Sequence, residues 1–75
     1  MNRRDIFPRS LQYLIAIAEH GSYTRAAEVL HVSQPSLSQQ IKLLEEALQT
    51  SLLDRSGRNV RLTYAGEVYL SHVRR

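Results

Sequence analysis

The chain has 75 residues, with 10 lysines and arginines against 7 aspartates and glutamates, giving a formal net charge of +3 and a pI near 9.8. That length suits one domain burying only about 60% of the surface its unfolded chain exposes, and it excludes a second core. The absence of cysteine excludes disulfides and thiolate metal sites, no apolar run approaches the roughly 18 residues of a membrane helix, and the basic balance suits a polyanionic partner.

Residues 1–9 read as a polar, loose lead without the apolar stretch of a signal peptide, and Pro8 is placed to open a helix. Leu11, Leu14, Ile15 and Ala18 form the stripe of that first helix, and Gly21, just after His20, is its stop. Ser22 then caps a short second helix whose inward face is Ala26, Ala27 and Leu30, the paired alanines allowing a neighbouring helix to approach closely. His31 and Val32 make a sharp corner. Ser33 caps the next helix by accepting an orphan backbone N–H, and Pro35 falls in the first turn, where its missing N–H costs nothing. Leu37, Ile41, Leu44 and Leu48 form one apolar stripe on this third helix, and Gln34, Ser36, Ser38, Gln39 and Lys42 lie elsewhere on its surface. Two helices joined by so short a corner are a helix-turn-helix, and an amide-rich face near a helix N-terminus suits base edges and phosphates.

Further on, residues 52–54 and 60–62 read as short strands pairing across 55–59 in a hairpin, which must lean on the helices because two strands alone are marginal. Thr63 caps a fourth helix with Ala65, Val68, Tyr69, His72 and Val73 on one face, and no stop signal precedes Arg75. The charges are unevenly placed: Arg55, Arg58 and Arg61 crowd the hairpin, and Glu45 and Glu46 fall toward the far end of the third helix, so a polarised field is expected.

The stretch AEHGSYTRAAEVLHVSQPSLSQQIKLLEEAL, followed by LLDRSGRNVRLTYAGE, resembles the N-terminal DNA-binding domain of LysR-type bacterial transcriptional regulators from about Leu11 to the C-terminus. The most specific parts are the SxxxAAxxLxVSQPxLSxQI core and the basic RSGR hairpin leading into LTxAG. The resemblance implies a mainly α, winged helix-turn-helix domain over residues 1–75, with a small two-stranded β hairpin as the wing. Residues 63–75 then begin a dimerisation linker helix. It implies double-stranded DNA as partner, a homodimer through the C-terminal helix with higher assembly open to the full-length parent, and a cytoplasmic, nucleoid-associated protein without membrane contact. The chain is expected to be a fragment, with a small-molecule effector bound only by a sensing domain that it lacks. Within the family, the run AEHGSYTRAA…LHVSQPSLSQQI, with DRSGR and LTxAGEV, is most similar to the cyanate-operon type of activator.

Carried onto this sequence, the resemblance implies major-groove contacts from Gln34, Pro35, Ser38 and Gln39 and minor-groove entry by Arg58 at the hairpin tip, and Ser36 is a further DNA-binding candidate. Amides can make paired hydrogen bonds to adenine, and arginine suits a narrow, electronegative groove. Solvated glutamines are the plain alternative for Gln34 and Gln39. Ser33 reads as a cap that also orients backbone N–H groups toward a phosphate. Thr24 and Arg25 are candidate phosphate contacts. Arg55 and Arg61 are either structural or phosphate-binding, and Lys42 either reaches the DNA backbone or pairs along its own helix. Val68, Tyr69 and Val73 are the candidate dimerisation residues.

Four positions depart from the family pattern: Gln49 stands where glycine usually ends the recognition helix, Ser51 for a proline, Leu53 for a phenylalanine and Tyr64 for an acid. A less sharp helix stop and altered wing packing are expected from them. Leu43 falls where polar residues are frequent and is either an exposed leucine or part of an interface. His20, His31 and His72 lack ligand spacing, so neither metal nor cofactor is expected. No nucleophile elbow or glycine-rich phosphate loop occurs, so an enzyme is not expected. The rival reading is a winged helix serving as a protein-interaction module.

Overall fold

The computed structural model describes residues 3–73, their side chains from residue 9 onward. Among these residues the order is α1 (Arg3–His20), α2 (Tyr23–Leu30), α3 (Gln34–Leu48), β1 (Leu53–Asp54), β2 (Arg61–Leu62) and α4 (Tyr64–Val73). The two strands pair antiparallel, Leu53 opposite Leu62 and Asp54 opposite Arg61, so the chain is a winged helix-turn-helix.

The caps act as the sequence predicts. Ser22 Oγ accepts the Arg25 N–H at 3.2 Å, Ser33 Oγ accepts the Ser36 N–H at 3.2 Å, and Thr63 Oγ1 accepts the Gly66 N–H at 3.0 Å. Gly21 ends α1 in the left-handed region at φ 68°, its N–H bonded to the Ile17 carbonyl at 2.8 Å. The corner between α2 and α3 is a Schellman end. His31 takes the left-handed conformation at φ 59°, its N–H reaches the Glu28 carbonyl, and the Val32 N–H reaches that of Ala27.

The core gathers Leu14 and Ile17 of α1, Ala26 of α2, Leu37, Ile41 and Leu44 of α3, and Leu52 before β1, all essentially solvent-free. Burying each of the large ones contributes about 1.5–3 kcal/mol. Ser10 is also fully buried, and its Oγ has no hydrogen-bond partner among the described residues.

Several expectations need correction. The helix does not open at Pro8; it begins at Arg3 and takes in most of the segment read as a loose lead, residues 1 and 2 lying outside the described residues. Extending a formed helix adds a bond per residue without a new nucleus, and Pro8 removes one ladder bond near an end. The buried arc of α1 is centred on Ser10, Leu14 and Ile17, with Ala16 beside them; Leu11, Ile15 and Ala18 are only partly covered, because α2, α3 and β2 all press on the Leu14–Ile17 side. The stripe of α3 stops at Leu44. Leu48, at 37% exposure, lies past the last contact with the core. On α4 the buried residues are Gly66 and Leu70, with Ala65 and Tyr69 half-buried beside them, so Val68, His72 and Val73 face outward. Gln49 does not blunt the end of α3. It adopts φ 54°, and the Gln49 and Thr50 N–H groups reach the Glu46 and Glu45 carbonyls at 3.2 and 3.1 Å. The backbone takes the left-handed turn whether or not a glycine is there to make it cheap.

Candidate nucleic-acid interface

Pro35, Gln39 and Lys42 lie on the side of α3 away from Leu37 and Ile41, and Gln34 and Ser36 flank that stripe at the N-terminal end; all five are exposed, with Ser38 half-buried. Amphipathic spacing produces this division, because the residues that anchor the helix leave the amides and hydroxyls facing out. The structure brings two pairs of the predicted residues together. Gln34 Nε2 donates to Ser38 Oγ at 2.7 Å, one turn along, and Ser33 Oγ donates to Ser36 Oγ at 2.9 Å. The first pair holds the Gln34 amide along the helix surface, leaving its carbonyl oxygen and second N–H available to a ligand.

Thr24 and Arg25 are exposed in the first turn of α2. Arg58 is exposed near the tip of the hairpin, and Gly57 beside it is similarly open. The loop leaves β1 in an Asx turn in which Asp54 Oδ1 accepts the Ser56 hydroxyl at 2.7 Å and its N–H at 2.9 Å. These bonds hold the Asp54 carboxyl below the usual carboxylate range.

Arg55 behaves differently from Arg58. Its guanidinium lies over the Tyr23 ring, with the central carbon 4.3 Å from the ring centroid, and one terminal nitrogen donates to the Tyr23 hydroxyl at 2.6 Å. Tyr23 is itself buried at the start of α2. Burial pushes its hydroxyl above the ordinary tyrosine range, and the neighbouring arginine charge and hydrogen bond only partly offset this.

The hairpin leans on the helices at three further points. Glu45 Oε2 accepts the Leu52 N–H at 2.7 Å and the Leu53 N–H at 3.3 Å. Val60 N–H donates to the Gly21 carbonyl at 2.9 Å, and Gly66 of α4 packs so closely that a methyl group there would overlap the Leu52 carbonyl oxygen. The Glu45 contact corrects the expected charge division: this carboxylate sits at the root of the basic hairpin and serves its backbone.

Sequence reading missed Tyr23, Glu45 and Gly66 as the residues that position the wing. Only Gly66 carried a signal, as the glycine of LTxAG. Of the three dimerisation candidates, Val68 and Val73 are exposed, and Tyr69 is half-buried and packed against the core. Among the described residues, no group of three or more His, Asp and Glu side chains is placed to hold a metal ion, and no helix is long and apolar enough to cross a membrane.

A helix-turn-helix with an outward polar face on its second helix and a basic hairpin wing defines this as a winged helix-turn-helix protein of the DNA-binding type. The chain belongs to the LysR family of bacterial regulatory helix-turn-helix proteins, whose family model matches residues 8–67. It is 49% identical over 67 residues to the SDS degradation transcriptional activation protein of a Pseudomonas species, covering 89% of this chain and 22% of that protein. It is 53% identical over 66 residues to the transcriptional regulator AlsR of Bacillus subtilis, covering 88% of this chain and 22% of that one. The chain thus spans about a fifth of the length of these relatives. Among solved structures, the DNA-binding domain of BenM bound to benA site 1 DNA superposes with a TM-score of 0.80 at 42% identity, covering 85% of this chain and 72% of that one. That of CbnR in its DNA complex gives 0.80 at 47% identity, covering 88% and 76%.

Proposed function

We propose that this chain is the sequence-specific, double-stranded DNA-binding module of a bacterial transcription regulator, with α3 entering the major groove and the hairpin the adjacent minor groove. The observation that carries the reading is the solvent-facing surface of the N-terminal half of α3, where Gln34, Ser36 and Gln39 are exposed and Ser38 half-buried while Leu37 and Ile41 fix the helix to the core. The exposed Arg58 on the wing supports it, as do the DNA complexes formed by the BenM and CbnR domains. Ser33, Pro35, Thr24, Arg25, Lys42 and Arg55 complete the proposed interface, chiefly toward phosphate and sugar, where contacts set register and carry no sequence information.

The parent regulator works without catalysis, in the cytoplasm and on the nucleoid. It dimerises through α4, whose Val68 and Val73 are outward-facing apolar side chains. Its effector binds in a domain outside these 75 residues, and the likeness to the cyanate-operon type of activator is a proposal about that effector. Two-fold pairing of modules matches half-sites about one helical turn apart, or a multiple of that spacing.

The test is selection of duplexes from a randomised pool, followed by titration of the winner and of a mixed-sequence duplex at several salt concentrations. Tighter binding to the winner is expected, with a slope of log affinity against log salt steeper than about −3 for a dimer. Binding without salt dependence or sequence preference would move the reading to a protein-interaction module. Sedimentation on a duplex with two half-sites is expected to show two chains per duplex, and a 1:1 complex at saturation would remove the dimer.

A further inference from the structure

Arg55 and Arg58 are three residues apart on one hairpin, and among the described residues Arg55 alone of the two is held by another side chain. We infer that Tyr23 is a positioning residue for DNA binding: its ring and hydroxyl together fix the Arg55 guanidinium beside the N-terminus of α2, presenting it preformed to a backbone phosphate. This inference rests on the DNA-binding reading given above.

The two contacts are complementary. The ring holds the centre of the guanidinium 4.3 Å from its centroid, and the 2.6 Å bond to the hydroxyl ties one terminal nitrogen, so two separate points of the group are fixed. Tyr23 can serve as an anchor because it is itself buried among the core residues at the start of α2. Arginine has five N–H donors in a rigid fork, and among the described residues its side-chain hydrogen bonds run to Tyr23 alone. Donors therefore remain for a phosphate, in a side chain that has already given up its rotamer freedom. Thr24 and Arg25 follow Tyr23 directly and are exposed, so the anchored guanidinium adds to a site already polar and cationic. A phenol is neutral near pH 7, so this partner leaves the positive charge of Arg55 uncancelled, as a carboxylate would not.

Pre-organising one arginine removes an ordering cost from binding and adds no new contact, so its loss weakens affinity modestly and does so irrespective of sequence. The experiment compares the wild-type chain with Tyr23→Phe, Arg55→Lys, Arg55→Ala and the Tyr23→Phe/Arg55→Ala double variant. Each is titrated on the selected duplex and on a mixed-sequence duplex, alongside a thermal melt. Tyr23→Phe keeps the ring and removes only the hydroxyl. It is expected to bind both duplexes about two- to tenfold more weakly, with an equal factor on each and an almost unchanged melt. Arg55→Lys keeps the charge but lacks the fork that can sit over the ring, bond the hydroxyl and still offer donors to a phosphate, so it should lose a similar factor. In the Arg55→Ala background, Tyr23→Phe should have no further effect on affinity. Full affinity of Tyr23→Phe, or losses that simply multiply in the double variant, would overturn the inference. A loss confined to the selected duplex would also overturn it, by making the pair a reader of sequence. Failure of the wild-type chain to bind either duplex would instead overturn the DNA-binding reading itself.

Discussion

The Glu45 carboxylate, near the end of α3, accepts the backbone N–H of Leu52 at 2.7 Å and so joins the recognition helix to the root of the wing. The same oxygen takes the Leu53 N–H at 3.3 Å. These are charge-assisted bonds to groups that Leu52, fully buried, carries out of water. Glu45→Ala should therefore destabilise the chain by about 1–3 kcal/mol and abolish hydrogen-exchange protection at Leu52. Glu46→Ala, at the exposed neighbouring position, should stay within about 0.5 kcal/mol. Equal effects from the two would show that the bond does not hold the wing.

Gly66→Ala is expected to cost about 1–3 kcal/mol, because the added methyl meets the Leu52 carbonyl and stands 3.0 Å from Leu62 Cδ2. Backbone, unlike a flexible side-chain end, cannot step aside cheaply. A chemical melt of the variant measures the loss, and an unchanged midpoint would mean that α4 shifts freely on the hairpin.

Gln49→Gly should raise stability by about 0.5–1 kcal/mol, since Gln49 stands at φ 54°, where glycine avoids the Cβ penalty, less the greater freedom glycine has when unfolded. For a domain this small, that corresponds to a melting temperature higher by about 2–8 °C. A lower melting temperature would mean that the glutamine side chain has a role its exposure conceals.

On DNA, Gln34→Ala or Gln39→Ala should cost about 1–3 kcal/mol on the selected duplex and much less on mixed sequence, because a lost base contact removes discrimination. Arg58→Ala should weaken binding most where the flank is rich in A·T pairs and the minor groove is narrow. Competition titrations across flank variants read both effects. Equal losses of Gln34→Ala on all duplexes would remove that residue from sequence reading, and a loss at Arg58 blind to the flank would reduce it to a phosphate contact.

Asp54 should titrate below the usual carboxylate range, first because of the Ser56 hydroxyl and then because of its N–H. A depressed folded pKa gives stability that is present above the unfolded value and lost as pH falls through the folded one, so acidification should loosen the hairpin turn. Ser56→Ala removes one of the two bonds, and an NMR titration of the carboxyl carbon should show Asp54 moving up toward the ordinary range. An identical titration in both proteins would show that the turn does not depend on this pair.

The local marks were legible from residues alone: Ser22, Ser33 and Thr63 as caps, Gly21 as a stop, His31–Val32 as a corner, and the alternation that buries Leu37 and Ile41 and exposes Gln34 and Gln39. Each depends on neighbours within one or two turns, and such interactions repeat wherever the spacing does. The sequence alone thereby determined the element order, the helix-turn-helix and the candidate reading face. Tertiary structure decided what the spacing could not encode. The arc of α1 that is buried depended on which elements press against it, and the inner face of α4 depended on Gly66 admitting the Leu52 carbonyl. The placement of the wing depended on Glu45, Gly21 and Tyr23 meeting groups distant in the chain, Tyr23 and Arg55 being 32 residues apart. Nothing periodic links a tyrosine on one helix to an arginine on a loop. Their contact exists only because the core brings the start of α2 beside the end of β1, and a long-range meeting of that kind belongs to packing.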